Sequence, residues 1–76
     1  MDLKDFIVNF SSQFEETEIS SFEAQTVFKE LDEWSSLLAL SIIAMVDEEY
    51  DVRIKGDDIR SSKTIENLFN IVKSRK

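Results

Sequence analysis

Residues 33–52 read EWSSLLALSIIAMVDEEYDV: a serine pair, then the most apolar run in the chain, then an acidic cluster that closes it. The run from Leu37 to Tyr50 contains neither proline nor glycine, and its apolar residues recur at helical spacing, so it predicts the longest helix. With Ser36 at zero and about 100° per residue, Ala39, Ile42, Ile43, Val46 and Tyr50 share one contiguous face, the expected buried one. The opposite side should be polar. It carries instead Leu37, Leu38, Leu40, Ala44 and Met45 with Ser41, and Asp47 and Glu48 one turn further on. Such a helix is either buried all round or bears a second apolar stripe for a partner. Full burial is difficult in a domain this small, so a contact surface is expected. Ser35 suits the N-cap, its oxygen turned back onto free backbone N–H groups, and Ser36 is then the first helical residue with its hydroxyl outward.

The rest of the chain fits around that helix. With 76 residues, one domain spanning 1–76 is expected. No proline and a single glycine, Gly56, leave strands with little support. Leu3, Phe6, Ile7, Phe10 and Phe14 mark one face of a first helix, and Ile65, Leu68, Phe69 and Val72 mark one face of a last helix. Thr64 is placed to cap that last helix, and Lys73, Arg75 and Lys76 lie near its end, where the helix dipole favours cations. The segment DVRIKGDDIRSSK reads as a turn with a short helical stretch around Asp57 to Arg60. Residues 15–35 allow two readings. Ala24, Val27, Phe28 and Leu31 have helical spacing, with Ser20 and Glu23 as a capping box; a connecting loop with one helical turn that packs Phe28 inward explains the same residues and is preferred. The fold class expected is all-α, a small bundle of three main helices plus one short one. Its core is expected from Phe6, Ile7, Phe10, Phe28, Ile42, Ile43, Val46, Ile54, Ile65, Leu68, Phe69 and Val72.

Composition narrows the chemistry. The chain has neither histidine nor cysteine, so the usual bases, zinc ligands and thiol nucleophiles are missing and a Ser-His-Asp triad is unavailable. No glycine-rich loop cradles a phosphate. Asp51 to Ser62 faintly resembles a calcium loop, with Gly56 at the sixth place, but Arg53, Lys55 and Ser62 stand where ligands are needed. Asp47, Glu48 and Glu49 are consecutive and fan around a helix instead of converging on a metal. No enzyme activity is expected of this chain alone. The formal charge is −7, divided between a net of −11 over residues 1–51 and +4 over residues 52–76. That balance argues against nucleic acid and in favour of partners with basic surfaces. The absence of cysteine, of a leader and of a membrane-length apolar run leads to the expectation of a monomer in the cytoplasm, without membrane insertion.

The pattern WSSLLALSIIAMVDEEYDVRI resembles the signature of the acyl carrier protein family, in which an Asp-Ser-Leu motif opens a long helix ending in Glu-Glu-Phe/Tyr. Ser36-Leu37 matches the Ser-Leu of the motif, and Glu48-Glu49-Tyr50 matches the helix end at the expected distance. The likeness continues through Val52 and Ile54 to KTIENLFNIV, where Thr64-Ile65 opens the last helix, and it takes in the first helix and Phe28. The resemblance implies a 4′-phosphopantetheine arm joined to Ser36 by a phosphodiester, carrying acyl groups as thioesters. It also implies modification by a phosphopantetheinyl transferase and service to acyl-transferring or acyl-elongating enzymes of a fatty-acid, polyketide or related pathway. Partners in the family grip the helix after the serine, which here maps to Leu37, Leu40, Ser41, Ala44, Met45, Asp47 and Glu48.

Three departures from the family pattern stand out. Ser35 replaces the aspartate that helps the transferase recognise its target, which makes Ser35 a minor rival for modification. Leu38 and Ser41 stand where housekeeping fatty-acid carriers often place acids, so a more apolar contact face is expected, and Trp34 replaces a small residue. Together they suggest a specialised carrier. An unmodified helical interaction module and an aminoacyl or peptidyl carrier are the alternatives.

Overall fold

Helices begin in this chain where a side chain can accept from the free N–H groups of a first turn. Asp2 accepts from the Lys4 amide at 3.1 Å, and Thr64 accepts from the Asn67 amide at 3.1 Å while Asn67 Oδ1 accepts from the Lys63 and Thr64 amides. The computed structural model describes residues 1–76 and contains helices and loops only: α1 (Leu3–Ser11), α2 (Ser36–Tyr50), α3 (Gly56–Ser61) and α4 (Ile65–Arg75). Short 3₁₀ turns occupy Ile19–Ser21 and Phe28–Glu30. The fold is therefore all-α, three main helices and one short one. They close a ring, α1 packing on α2 and α4, and α3 on the same two. No helix is long and apolar enough to cross a membrane.

One continuous cluster fills the ring, with Phe6, Phe10, Phe28, Ile42, Val46, Ile65, Leu68 and Val72 wholly buried. Fully burying an apolar side chain of this kind contributes about 1.5–3 kcal/mol. The six phenylalanines, Trp34 and Tyr50 form a single connected set of ring contacts, running from Phe69 through Phe6 and Phe10 to Phe14, Phe22, Phe28 and Trp34. Of the expected core, Ile7 and Ile43 are only half-buried against its edge. Phe14, Phe22, Leu38, Met45, Tyr50, Val52 and Ile59 join it.

Helix α1 stops before Phe14. The Ser11 and Ser12 hydroxyls donate back to the Val8 and Asn9 carbonyls at 2.9 and 2.7 Å, which satisfies groups that a further turn would otherwise have taken. Phe14 is still buried, but from the loop. The Ser20–Glu23 capping box does not form: the Glu23 amide donates to Thr26 Oγ1 at 2.8 Å, and Ser20 lies within a 3₁₀ turn.

The loop is the preferred reading of residues 15–35, and hydrogen bonds to distant parts hold it. The Ile65 and Glu66 amides donate to the Thr26 and Ala24 carbonyls at 3.2 and 3.0 Å, so the loop supplies acceptors to the first turn of α4. Lys29 Nζ donates to the Ile59 and Arg60 carbonyls at 3.3 and 2.8 Å, closing the C-terminal end of α3. Gly56 opens α3 and makes no calcium-loop turn.

Candidate functional site

Ser35 is extended, with φ −157° and ψ 172°, and its Oγ accepts a long 3.4 Å bond from the Leu38 amide. Its carbonyl accepts the first intrahelical bond, from Ala39 at 3.1 Å. Ser36 is then the first helical residue, and it is exposed. Its own N–H and that of Leu37 find no acceptor in the protein, so the start of α2 presents two free donors and the positive end of a 15-residue helix dipole beside an accessible hydroxyl.

The buried face of α2 is Leu38, Ile42, Met45, Val46 and Tyr50. This face is turned by roughly 40° from the expected one, toward Leu38 and Met45. Two of the expected contact residues change meaning as a result. Met45 is 5% exposed and belongs to the core, so it is unavailable to a partner, and Leu38 is likewise buried and adds nothing to the outer face. Leu38 and Met45 thereby join the same continuous core as the loop residues Phe14 and Phe22. What stays outside is a coherent strip of Ser36, Leu37, Leu40, Ala44, Asp47 and Glu48, with Ser41 half-buried at its border. Leu37 and Leu40 are 76% and 63% exposed. Of the stripe expected from the helical wheel, Leu37, Leu40 and Ala44 are exposed, Ser41 is half-buried, and Leu38 and Met45 are buried. Asp47, Glu48 and Glu49 point into solvent, and no group of three carboxylates gathers to hold a metal ion.

Two clefts flank this helix start, and Ser35 lines both. On the α3 side a cleft of about 400 Å³ has Trp34, Ala39 and Ile59 as its apolar lining and Lys29 and Arg60 as its charged residues, with Ser36 on its wall. On the α1 side a cleft of about 310 Å³ is lined by Glu15 and Glu33 with Leu37, Leu38 and Ser41. The pair is electrically opposite: basic beneath Ser36, acidic beneath Leu37. Lys29 was visible in the sequence as one of only two bases among the first 51 residues. Nothing in the local sequence pointed to Ile59 or Arg60 as neighbours of Ser36.

The approach to α2 is held by Glu33. Its carboxylate accepts from the Glu15, Glu16 and Thr17 amides at 2.8, 3.0 and 2.9 Å and from the Thr17 hydroxyl at 2.8 Å. The Glu15 amide first, then the Thr17 hydroxyl and the other two amides, outweigh partial desolvation and hold Glu33 below the usual carboxylate range. At the far end of α2, Tyr50 accepts from Asn9 Nδ2 at 2.9 Å through its hydroxyl, while burial raises its phenol above the ordinary value. No family model matches this chain, and neither any curated protein nor any solved structure was found to match it.

Proposed function

We propose that this chain is an acyl carrier, with Ser36 as the attachment point of a 4′-phosphopantetheine arm. The observation that carries the reading is the exposure of Ser36 at the first turn of α2, next to two unpartnered backbone N–H groups, within a sequence pattern that resembles the carrier signature from end to end. The site suits such a group. The hydroxyl is accessible, a phosphodiester at a helix N-terminus is favoured by the free donors and the dipole, and Ser35 is occupied as the cap. When bound, the group supplies the thiol that a cysteine-free chain lacks, so that acyl groups ride as thioesters.

The residues of the chain then divide the remaining work. Ser35 starts the helix and orients Ser36. Leu37, Leu40 and Ala44 offer an apolar strip, and Asp47 and Glu48 extend it with negative charge. A partner enzyme with a basic rim around an apolar patch complements that strip, and the net of −11 over residues 1–51 steers such a partner toward it. The same strip would serve an unmodified interaction module, and the two readings differ in one property only, the covalent arm.

The deciding experiment is intact mass after incubation with coenzyme A, magnesium and a broad-specificity phosphopantetheinyl transferase, run beside Ser35→Ala and Ser36→Ala. Gain of one phosphopantetheinyl unit that is lost in Ser36→Ala alone supports the carrier. No gain on folded protein with several transferases favours the unmodified module.

A further inference from the structure

The apolar tail of an acyl group must lie against protein or in water, and the structure offers it one apolar hollow beside Ser36. That hollow is the cleft floored by Trp34, Ala39 and Ile59. Behind it the path into the bundle is occupied. Trp34 meets the wholly buried Phe28 edge-on at 5.0 Å and stacks on Phe14 at 6.3 Å, and Phe28 in turn packs on Phe10 at 5.2 Å. The far wall is fixed as well, because Lys29 bonds the carbonyls that end α3. Interiors packed in this way admit extra methylenes only at the expense of strain.

We infer that Trp34 is the residue that decides where cargo lies: it closes the cleft against the aromatic core, so that an acyl group carried at Ser36 rests over Trp34, Ala39 and Ile59 and does not thread the bundle. The cargo class that fits is short-chain acyl groups, whose tails the open cleft covers. Long chains gain nothing from the core and stay exposed to solvent. The placement of cargo rests on attachment at Ser36 as proposed above, but the closure by Trp34 is testable without it.

Because the chain has no cysteine, Ser36→Cys carries a unique thiol. Butyl or dodecyl methanethiosulfonate places an alkyl tail there as a mixed disulfide, releasing methanesulfinate, with no transferase involved. Trp34 is the only tryptophan, so its emission reports on the cleft directly. The expected result is that both tails shift Trp34 emission, that amide exchange at the core residues Phe10, Val46 and Leu68 is unchanged, and that the dodecyl adduct melts within about 2 °C of the butyl adduct. In a Ser36→Cys, Trp34→Ala background, or Trp34→Leu should the first variant fail to fold, the dodecyl tail should raise the melting temperature by roughly 4 °C or more over the butyl tail, because the removed ring leaves room behind the cleft. A dodecyl tail that stabilises and protects the core with Trp34 in place overturns the inference, as does Trp34 emission that ignores both tails, or a chain-length response that is the same with and without the indole. Failure of the carrier reading appears separately, as absence of a mass gain at Ser36 in the transferase experiment.

Discussion

The Arg75 guanidinium holds the Asp58 carboxylate with two parallel bonds of 2.6 Å, fastening the last turn of α4 to the first turn of α3. Asp58 also accepts from the Lys55 amide at 2.8 Å, so one carboxylate starts α3 and anchors α4. The Arg75 bond first, with the Lys55 amide second, holds Asp58 below the usual carboxylate range.

A depressed carboxyl pKa contributes stability that is complete above the unfolded-state value and is lost as pH falls through the folded one. Arg75→Met should therefore be less stable than the parent in urea at about pH 7, and the difference should close only well below pH ~4. A gap that does not narrow as the pH falls to about 2 would show that Arg75 stabilises the fold by something other than its bond to the Asp58 carboxylate.

Glu33→Gln keeps the shape of the loop anchor but turns one acceptor into a donor facing backbone N–H groups. Amide exchange at Glu15, Glu16 and Thr17 should accelerate while exchange in α4 stays unchanged. Lowering the pH of the parent through the depressed Glu33 value should release the same three amides first.

Phe28→Ala should cost about 3–5 kcal/mol and Leu68→Ala about 2–5 kcal/mol, since both side chains are wholly buried. Leu37→Ala and Leu40→Ala, on the exposed strip, should stay within about 0.5 kcal/mol of the parent. Denaturant unfolding of the four variants checks both halves of the statement together.

Asp51 ends α2 with φ 55° and ψ 39°, the one residue of the chain in the left-handed region. Asp51→Gly should stabilise by about 0.5–1 kcal/mol by relieving the side chain of that conformation. Asp51→Asn, which removes the charge and tolerates the same backbone, separates conformational relief from relief of repulsion with Asp47, Glu48 and Glu49.

Asp47→Lys combined with Glu48→Lys should not lower the melting temperature, because both residues are exposed and lie near the C-terminal end of α2, where the helix dipole favours cations. If the strip docks basic partners, the same change should slow modification by a transferase about tenfold at low salt, with a smaller loss as salt rises. Equal rates at every salt concentration would remove these acids from the docking surface.

Helices with one apolar face were legible directly. Phe6 and Phe10 in α1, and Ile65, Leu68, Phe69 and Val72 in α4, were placed by spacing alone, and Thr64 and Ser35 were recognisable as caps. Helix α2 is apolar nearly all round, so periodicity could not say that Leu38 and Met45 turn inward to the core. The loop itself was opaque because its order comes from Glu33, Lys29 and the Ala24 and Thr26 carbonyls, whose partners lie 16 to 42 positions away or have no pattern at all. The place of Ser36 as the exposed first residue of α2 was legible from the pattern, whereas the cleft beside it was not, since Lys29, Trp34, Ile59 and Arg60 meet only when the ring closes.

The bonds from the Ile65 and Glu66 amides to the Thr26 and Ala24 carbonyls also govern how the molecule is made. As the chain emerges from a ribosome, the Ala24 and Thr26 carbonyls wait for these partners until the opening of α4 has appeared, and the first two amides of α4 are satisfied only by a loop already in place. The last part to be synthesised therefore completes the hydrogen bonding of a loop made about forty residues before it, and cutting the chain between α2 and α4 should leave those two carbonyls open until the pieces recombine.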